Sequence, residues 1–399
     1  MHSPLLALCA ALALLAPPAR ALLLSATLPR SLAAPASAAA SVAAEAPAST
    51  FSTFAKDMHT PCPIPAAGIA AATALMESGR LYRYNSPSPA ECPVCEVEER
   101  LKAYTGHRHC LALNSCGSAL YLSLLTAGAK PGDKVATNAF TFGAVPSAIW
   151  HAGGEPVYLE TADNYVVCPD TLEATLAREE AKGEPVRFLM LSHMRGKIAD
   201  LPRVAAICKA RGVVLLEDCA HSLGVTFDGE HTGHRALSCG VSSQAYKMLN
   251  SGEGGFLLTN DAEVYAKAMV YAGCYENLMS KHRDAPPQSV FDKIDVLSIP
   301  NLSLRMHGVT AACITPQIDT LDARIKRYNE RYARVEKAIR AMDGVRSVPV
   351  QLPQVGIVGD SIQFDVLGGA NGLRNVEEAD RFLELAKERG VTMGRFGHP

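Results

Sequence analysis

The sequence has little excess of charge of either sign, and its lysines and arginines are scattered along the chain. With 38 basic against 40 acidic side chains and a formal net charge of −2, no polyanion-binding stripe forms, and nucleic acid is set aside as a partner. A run able to span a bilayer is also missing: Leu5 to Ala16 is apolar but too short. The twelve cysteines are dispersed, unlike the dense framework of a small secreted domain. One close pair stands out, Cys92-Pro93-Val94-Cys95, which reads as either a zinc or a redox motif. It lacks a second CxxC or a histidine pair at zinc-finger spacing, so no metal site is expected. Unpaired thiols favour a reducing final compartment.

What is present is the making of a large core. The 399 residues, 48% hydrophobic and 20% charged, suffice for one large or two ordinary domains. Residues 1–55 differ from the rest. After the short apolar run, Ala19-Arg20-Ala21 has the form of a cleavage site, and Leu22 to Thr50 is rich in Ala, Ser and Pro with only Glu45 acidic. Such a start is expected to be a targeting segment rather than part of the fold, and suits two-step import into an algal plastid. Entry to the secretory pathway and a disordered tail are the alternatives. No membrane attachment is expected once the segment is removed.

From residue 66 onward, short apolar strands alternate with helices. Ala66 to Ser78 and Glu91 to Tyr104 read as helices, and Cys110-Leu111-Ala112-Leu113 reads as a buried strand. That strand runs into Asn114-Ser115-Cys116-Gly117-Ser118 and a helix from Ala119, an arrangement that points free amides at an anion. Further strands are expected at Lys134 to Thr137, Pro156 to Leu159, Arg187 to Leu191 and Val213 to Leu216, with a helix at Leu201 to Arg211 closed by Gly212. The alternation implies an α/β fold with a mainly parallel sheet, whose chemistry collects at the carboxyl ends of the strands. Glu217-Asp218-Cys219-Ala220-His221 sits at such an end. After Asn301 a long helix is expected from Thr310 to Met342. Strands at 345–350 and 361–367, a helix at Val376 to Arg389 and a strand at Val391-Thr392-Met393 complete a small α+β domain.

The stretch Ser242-Ser243-Gln244-Ala245-Tyr246-Lys247 through Gly252-Glu253-Gly254-Gly255 sets one lysine between hydroxyls and glycines. A lysine there suits a Schiff base to pyridoxal 5′-phosphate (PLP), although a solvated turn lysine looks the same in isolation.

Taken in order, Arg83-Tyr84, Asn114 to Ser118, Thr141-Phe142, Glu217 to His221, Ser242 with Lys247, Gly252 to Gly255 and Arg305-Met306 resemble the DegT/DnrJ/StrS aminotransferases. These are PLP enzymes of fold type I, and the resemblance runs from about Gly79 to the C-terminus. It implies a large PLP-binding domain over 66–305 with a mainly parallel mixed sheet, and a smaller C-terminal domain over 306–399, shortened relative to typical members.

By resemblance, Lys247 would hold the cofactor and shuttle the proton. Asp218 would face the pyridine nitrogen, His221 the phenolic oxygen, and Phe142 would stack on the ring. Gly117, Ser118 and Ser242 would bind the phosphate, and Arg305 would reach the site of a partner subunit in a homodimer. The implied reaction is ping-pong transfer of an amino group from a donor such as glutamate to a small carbonyl acceptor, such as a keto-sugar nucleotide. A non-catalytic relative and another PLP reaction, such as elimination, are the alternatives. Where members often read His-x-Tyr-Gly-Gln, this chain has His193-Met194-Arg195-Gly196-Lys197. Arg195 is thereby a candidate for gripping an acidic substrate, with plain surface charge the other reading.

Overall fold

A computed structural model describes residues 60–275, 278–343, 345–347, 351–366 and 376–395. The expected targeting segment, residues 1–55, lies outside them. Helices α1 (Ala66–Ser78) and α2 (Pro93–Thr105) lead to β1 (His109–Leu113). Then α3 (Cys116–Thr126), β2 (Lys134–Asn138), α4 (Ala144–His151), β3 (Glu155–Leu159), α5 (Pro169–Ala181), β4 (Val186–Ser192), α6 (Leu201–Ala210) and β5 (Val214–Asp218) alternate. A hairpin, β6 (Thr226–Phe227) and β7 (Glu230–His231), precedes β8 (Ser238–Ser242) and β9 (Gly255–Thr259). Four helices follow: α7 (Ala262–Tyr271), α8 (Gln288–Phe291), α9 (Gly308–Ile318) and α10 (Leu321–Arg340).

The main sheet has seven strands in the order β1-β9-β8-β5-β4-β2-β3. Every neighbouring pair is parallel except those of β9, which runs antiparallel to both β1 and β8. The amino end of β9 therefore shares an edge with the carboxyl ends of all the other strands. The strands read as unbroken apolar runs because both faces are covered. In β4, Leu189 and Leu191 pack into one core cluster while Phe188 and Met190 pack into another. Likewise in β1, Cys110 and Ala112 face one side and Leu111 and Leu113 the other.

Buried charge ties α2 to this sheet. Arg83 is 3% exposed, and its guanidinium donates to both oxygens of Glu98. Glu98 also accepts from the amide of Ala112 in β1 at 2.8 Å. Burial opposes the charge on Arg83, but Glu98 outweighs it and raises the guanidinium well above its usual range.

Two expectations fail for local reasons. The long helix from Thr310 is two helices, because Thr320 accepts from Arg324 N at 3.0 Å and begins a new one while Pro316 sits near the end of the old. Val391-Thr392-Met393 is not a strand. Gly390, at φ 79°, caps α11 (Val376–Glu388), with Val391 N donating to Ala386 O and Gly390 N to Lys387 O. Both residues are used up in that cap.

The described residues fall into two compact units. One is Pro61–Asn329 with Pro349–Gly359; in it α9 packs on α1 and α2, and β11 (Val355–Gly356) pairs with β6. The other includes the described residues 330–343, 345–347, 360–366 and 376–395, with β10 (Val345–Ser347) antiparallel to β12 (Phe364–Val366).

A histidine cluster in the first unit makes the fold sensitive to acid. His231 accepts from Gly224 N at Nε2 (2.9 Å) and donates from Nδ1 to Thr232 O (2.6 Å), a pattern that requires a neutral ring. Burial pushes His231 down to about 4 and the neighbouring His107 to about 3. Both folded values lie below the unfolded value of about 6.5, so their contribution is complete above that pH and is lost as pH falls towards 4. Denaturant unfolding across pH 7.5 to 4 should show this loss, and His231→Gln should flatten part of it.

Candidate active site

The functional residues collect where strand ends meet. Lys247 lies in the loop from β8 to β9, and its Nζ is 2.8 Å from His221 Nε2. His221 follows β5 directly. Burial, then the charges of Lys247 and Arg195, hold its ring well below the usual range, so the neutral Nε2 accepts from Nζ. Asp218, the last residue of β5, is 4% exposed. Its Oδ2 accepts from Ser192 Oγ at the end of β4 (2.8 Å), and its Oδ1 accepts from Ala220 N (3.0 Å). One hydroxyl and one amide thus fix the carboxylate's direction.

The amino end of α3 meets the same place. Ser115 caps the helix, accepting from Ser118 N at 3.0 Å, and Ser118 Oγ donates to Asn114 Oδ1 at 2.6 Å. The amides of Cys116 and Gly117, at the open end of the helix, have no acceptor within it. The thiol of Cys116 is pushed up by burial and by Asp218 and drawn down by Lys247. A Cβ on Gly255, at the start of β9, would sit 2.3 Å from Cys116 N and 2.4 Å from Ser115 C. Only glycine permits this approach. Ser242, at the end of β8, is buried and its Oγ accepts from Gln244 N at 3.2 Å.

Phe142, between β2 and α4, is 64% exposed. Beside it the Thr141 hydroxyl is buried with no hydrogen-bond partner among the described residues. Arg195 lies in the turn after β4 at φ 58°, a left-handed conformation that side chains other than Gly, Asn and Asp rarely take. The next residue, Gly196, packs so that a Cβ would lie 3.1 Å from His221 O, which docks this turn against the lysine's neighbour.

Through its backbone, Arg305 bridges Leu113 at the carboxyl end of β1. Its guanidinium lies over the rings of Tyr82 (5.4 Å) and Tyr275 (5.6 Å) and donates to Gly273 O at 2.9 Å. His193, Glu217 and Cys219 bring one potential metal ligand each within 4.8 Å of one another. His193 Nε2 and Gly233 N both bond the same Glu217 oxygen, at 2.7 and 2.8 Å, so the trio already serves as a buried prop under the strand ends. Ser192 was not singled out in the sequence; a lone hydroxyl at a strand end carries no signal until its carboxylate partner is known.

These residues fit PLP. The helix end would take its phosphate, Lys247 its aldehyde and Asp218 its pyridine nitrogen, and Phe142 offers an exposed aromatic face beside the Thr141 hydroxyl, which has no partner among the described residues.

Residues 69–393 match the sequence model of the DegT/DnrJ/EryC1/StrS aminotransferase family. The chain belongs to that family. Its members are PLP-dependent aminotransferases. The spore coat polysaccharide biosynthesis protein SpsC of Bacillus subtilis is 29% identical over 253 residues, 63% of each chain. GDP-perosamine synthase of Caulobacter vibrioides is 28% identical over 181 residues, 45% of this chain and 47% of that one. The chain thus spans less than two thirds of the length of these curated relatives. The solved PLP form of Spr1654 from Streptococcus pneumoniae superposes with a TM-score of 0.67 at 21% identity, covering 84% of this chain and 82% of that one. At that identity the likeness is one of fold.

Because the atoms facing Gly255 are backbone, they cannot turn aside. Gly255→Ala should destabilise the fold by about 1–3 kcal/mol and reduce PLP retained after gel filtration. Urea unfolding and cofactor absorbance check both.

Proposed function

We propose that the protein is an aminotransferase that uses PLP on Lys247 to move an amino group from glutamate to a small carbonyl acceptor. The observation that carries this reading is the Lys247 amine held 2.8 Å from His221 Nε2, three residues beyond the buried Asp218 at the end of β5. PLP, when bound, supplies an electron sink that acidifies the hydrogen on the donor's α-carbon.

The side chains divide the remaining work. Lys247 Nζ takes up and returns that proton, with His221 Nε2 bonded to the amine and setting its direction. Asp218, steered by Ser192 and the Ala220 amide, holds a proton on the pyridine nitrogen through its negative charge. The first turn of α3, with Ser242, binds the phosphate. Arg195, whose charge is felt at His221, binds a substrate carboxylate.

A keto-sugar nucleotide as acceptor is supported by the likeness to GDP-perosamine synthase. A homodimer belongs to the same proposal. It rests on Arg305 standing at the position from which the resemblance has a partner's site reached, although its guanidinium is engaged here by Tyr82, Tyr275 and the Gly273 carbonyl of its own chain. Delivery to an organelle by residues 1–55 rests on their composition alone.

Glutamate added to the PLP-loaded protein should change the cofactor spectrum and release 2-oxoglutarate, and Lys247→Ala should do neither. Arg195→Ala should raise the KM for the acidic substrate by about 10- to 100-fold, the loss of a charge-assisted hydrogen bond, with kcat changed less. A spectrum that glutamate leaves unaltered, with no keto acid formed, would sink the reading.

A further inference from the structure

The CxxC motif takes no part in the site above, yet its setting is not that of two filler cysteines. Cys92 is the N-cap of α2, Pro93 its first residue and Cys95 its third. Cys92 Sγ accepts from Cys95 N at 3.4 Å, which puts both sulfurs at the same end of the helix. Arg83 Nη1 donates to Cys95 Sγ at 3.3 Å, and the Cys95 thiol donates to Lys281 O at 3.3 Å. Hydrogen bonding with Cys95 draws the Cys92 thiol below its usual range, against burial and with help from Arg83, while Cys95 is raised. A dithiol at a helix N-terminus beside a guanidinium is the environment that favours a thiolate.

We infer that Cys92 and Cys95 are a redox-active dithiol that closes to a disulfide by exchange with an external disulfide, and that closure loosens the Arg83–Glu98 clamp under β1. In the first step the Cys92 thiolate attacks one sulfur of the external disulfide and expels the other as a thiolate. Cys95 then gives its proton to that thiolate and attacks the Cys92 sulfur, expelling the second external sulfur as a thiolate, which takes from solvent the proton that Cys92 had released. Two protein thiols are oxidised and one external disulfide is reduced to two thiols.

Closure has structural consequences on both sides of Cys95. Its hydrogen, now bonded to Lys281 O, is lost, and its sulfur moves towards Cys92 and away from Arg83. Arg83 holds Glu98, Glu98 holds the Ala112 amide, and Ala112 lies two residues before Asn114, which opens the turn into α3. The motif is covered: Lys281 Nζ donates to Ser86 O, and Arg283 donates to Pro89 O and Ala90 O. Exchange therefore needs these side-chain contacts to open and is slow compared with that of an exposed thiol.

The test uses the full-length folded chain incubated with glutathione disulfide, alkylated in denaturant and mapped by peptide mass. The expected product is an unalkylated peptide carrying Cys92 and Cys95, lighter by two hydrogens and restored by dithiothreitol. In the oxidised protein, amide exchange at Ala112 should rise on the order of tenfold, matching one weakened hydrogen bond to a charged group. Any of three results would overturn the inference: a Cys92–Cys95 peptide that is still fully alkylated after the folded protein has met glutathione disulfide, a stable glutathione adduct on Cys92 alone, or a disulfide that leaves Ala112 exchange unchanged. None of these readouts depends on transamination.

Discussion

Two backbones, at Gly255 and Cys116, approach until no side chain fits between them. The site depends on that contact. It forms because β9 runs antiparallel between β1 and β8, bringing its first residue beside the strand ends from which α3 and the Lys247 loop depart. A helix end with free amides and a lysine in the loop before β9 would otherwise have no fixed relation. A strand inserted with the opposite direction supplies one without any specific side-chain bond.

Around that contact the charges are arranged so that each has a restraint. Asp218 is held by a hydroxyl from the adjacent strand and an amide of its own turn, Lys247 by a ring that burial keeps neutral, and the Arg195 turn by the close packing of Gly196 on the His221 carbonyl. Such restraints matter because a catalytic group displaced by even an ångström loses much of its effect. Beneath them, the His193–Glu217 pair and the Arg83–Glu98 pair carry charge in the interior where replacement of one partner would strand the other.

Much of the fold was legible from short-range pattern. Helix α1 has the bounds expected of it, and the strands appear where apolar runs were bounded by turns. Strand order was not legible, since nothing local tells β9 to reverse and enter between β1 and β8. The break at Thr320 was legible only in part, since Pro316 interrupts the helical pattern but nothing local marks the new start at Thr320. In the site, Lys247, His221 and Asp218 were singled out by motif, and the structure brings them together with the first turn of α3. Ser192 and Glu98 were invisible beforehand, because each acts through a partner 26 or 15 residues away in the chain.

The central claim is that Lys247 is the residue that carries PLP. The most direct measurement is borohydride reduction of the PLP-loaded full-length protein, followed by peptide mapping of the pyridoxyl group. The account predicts one labelled lysine, Lys247, and no label in Lys247→Ala. A label on the buried Lys197 instead, or no stable label on well-folded protein, would contradict it.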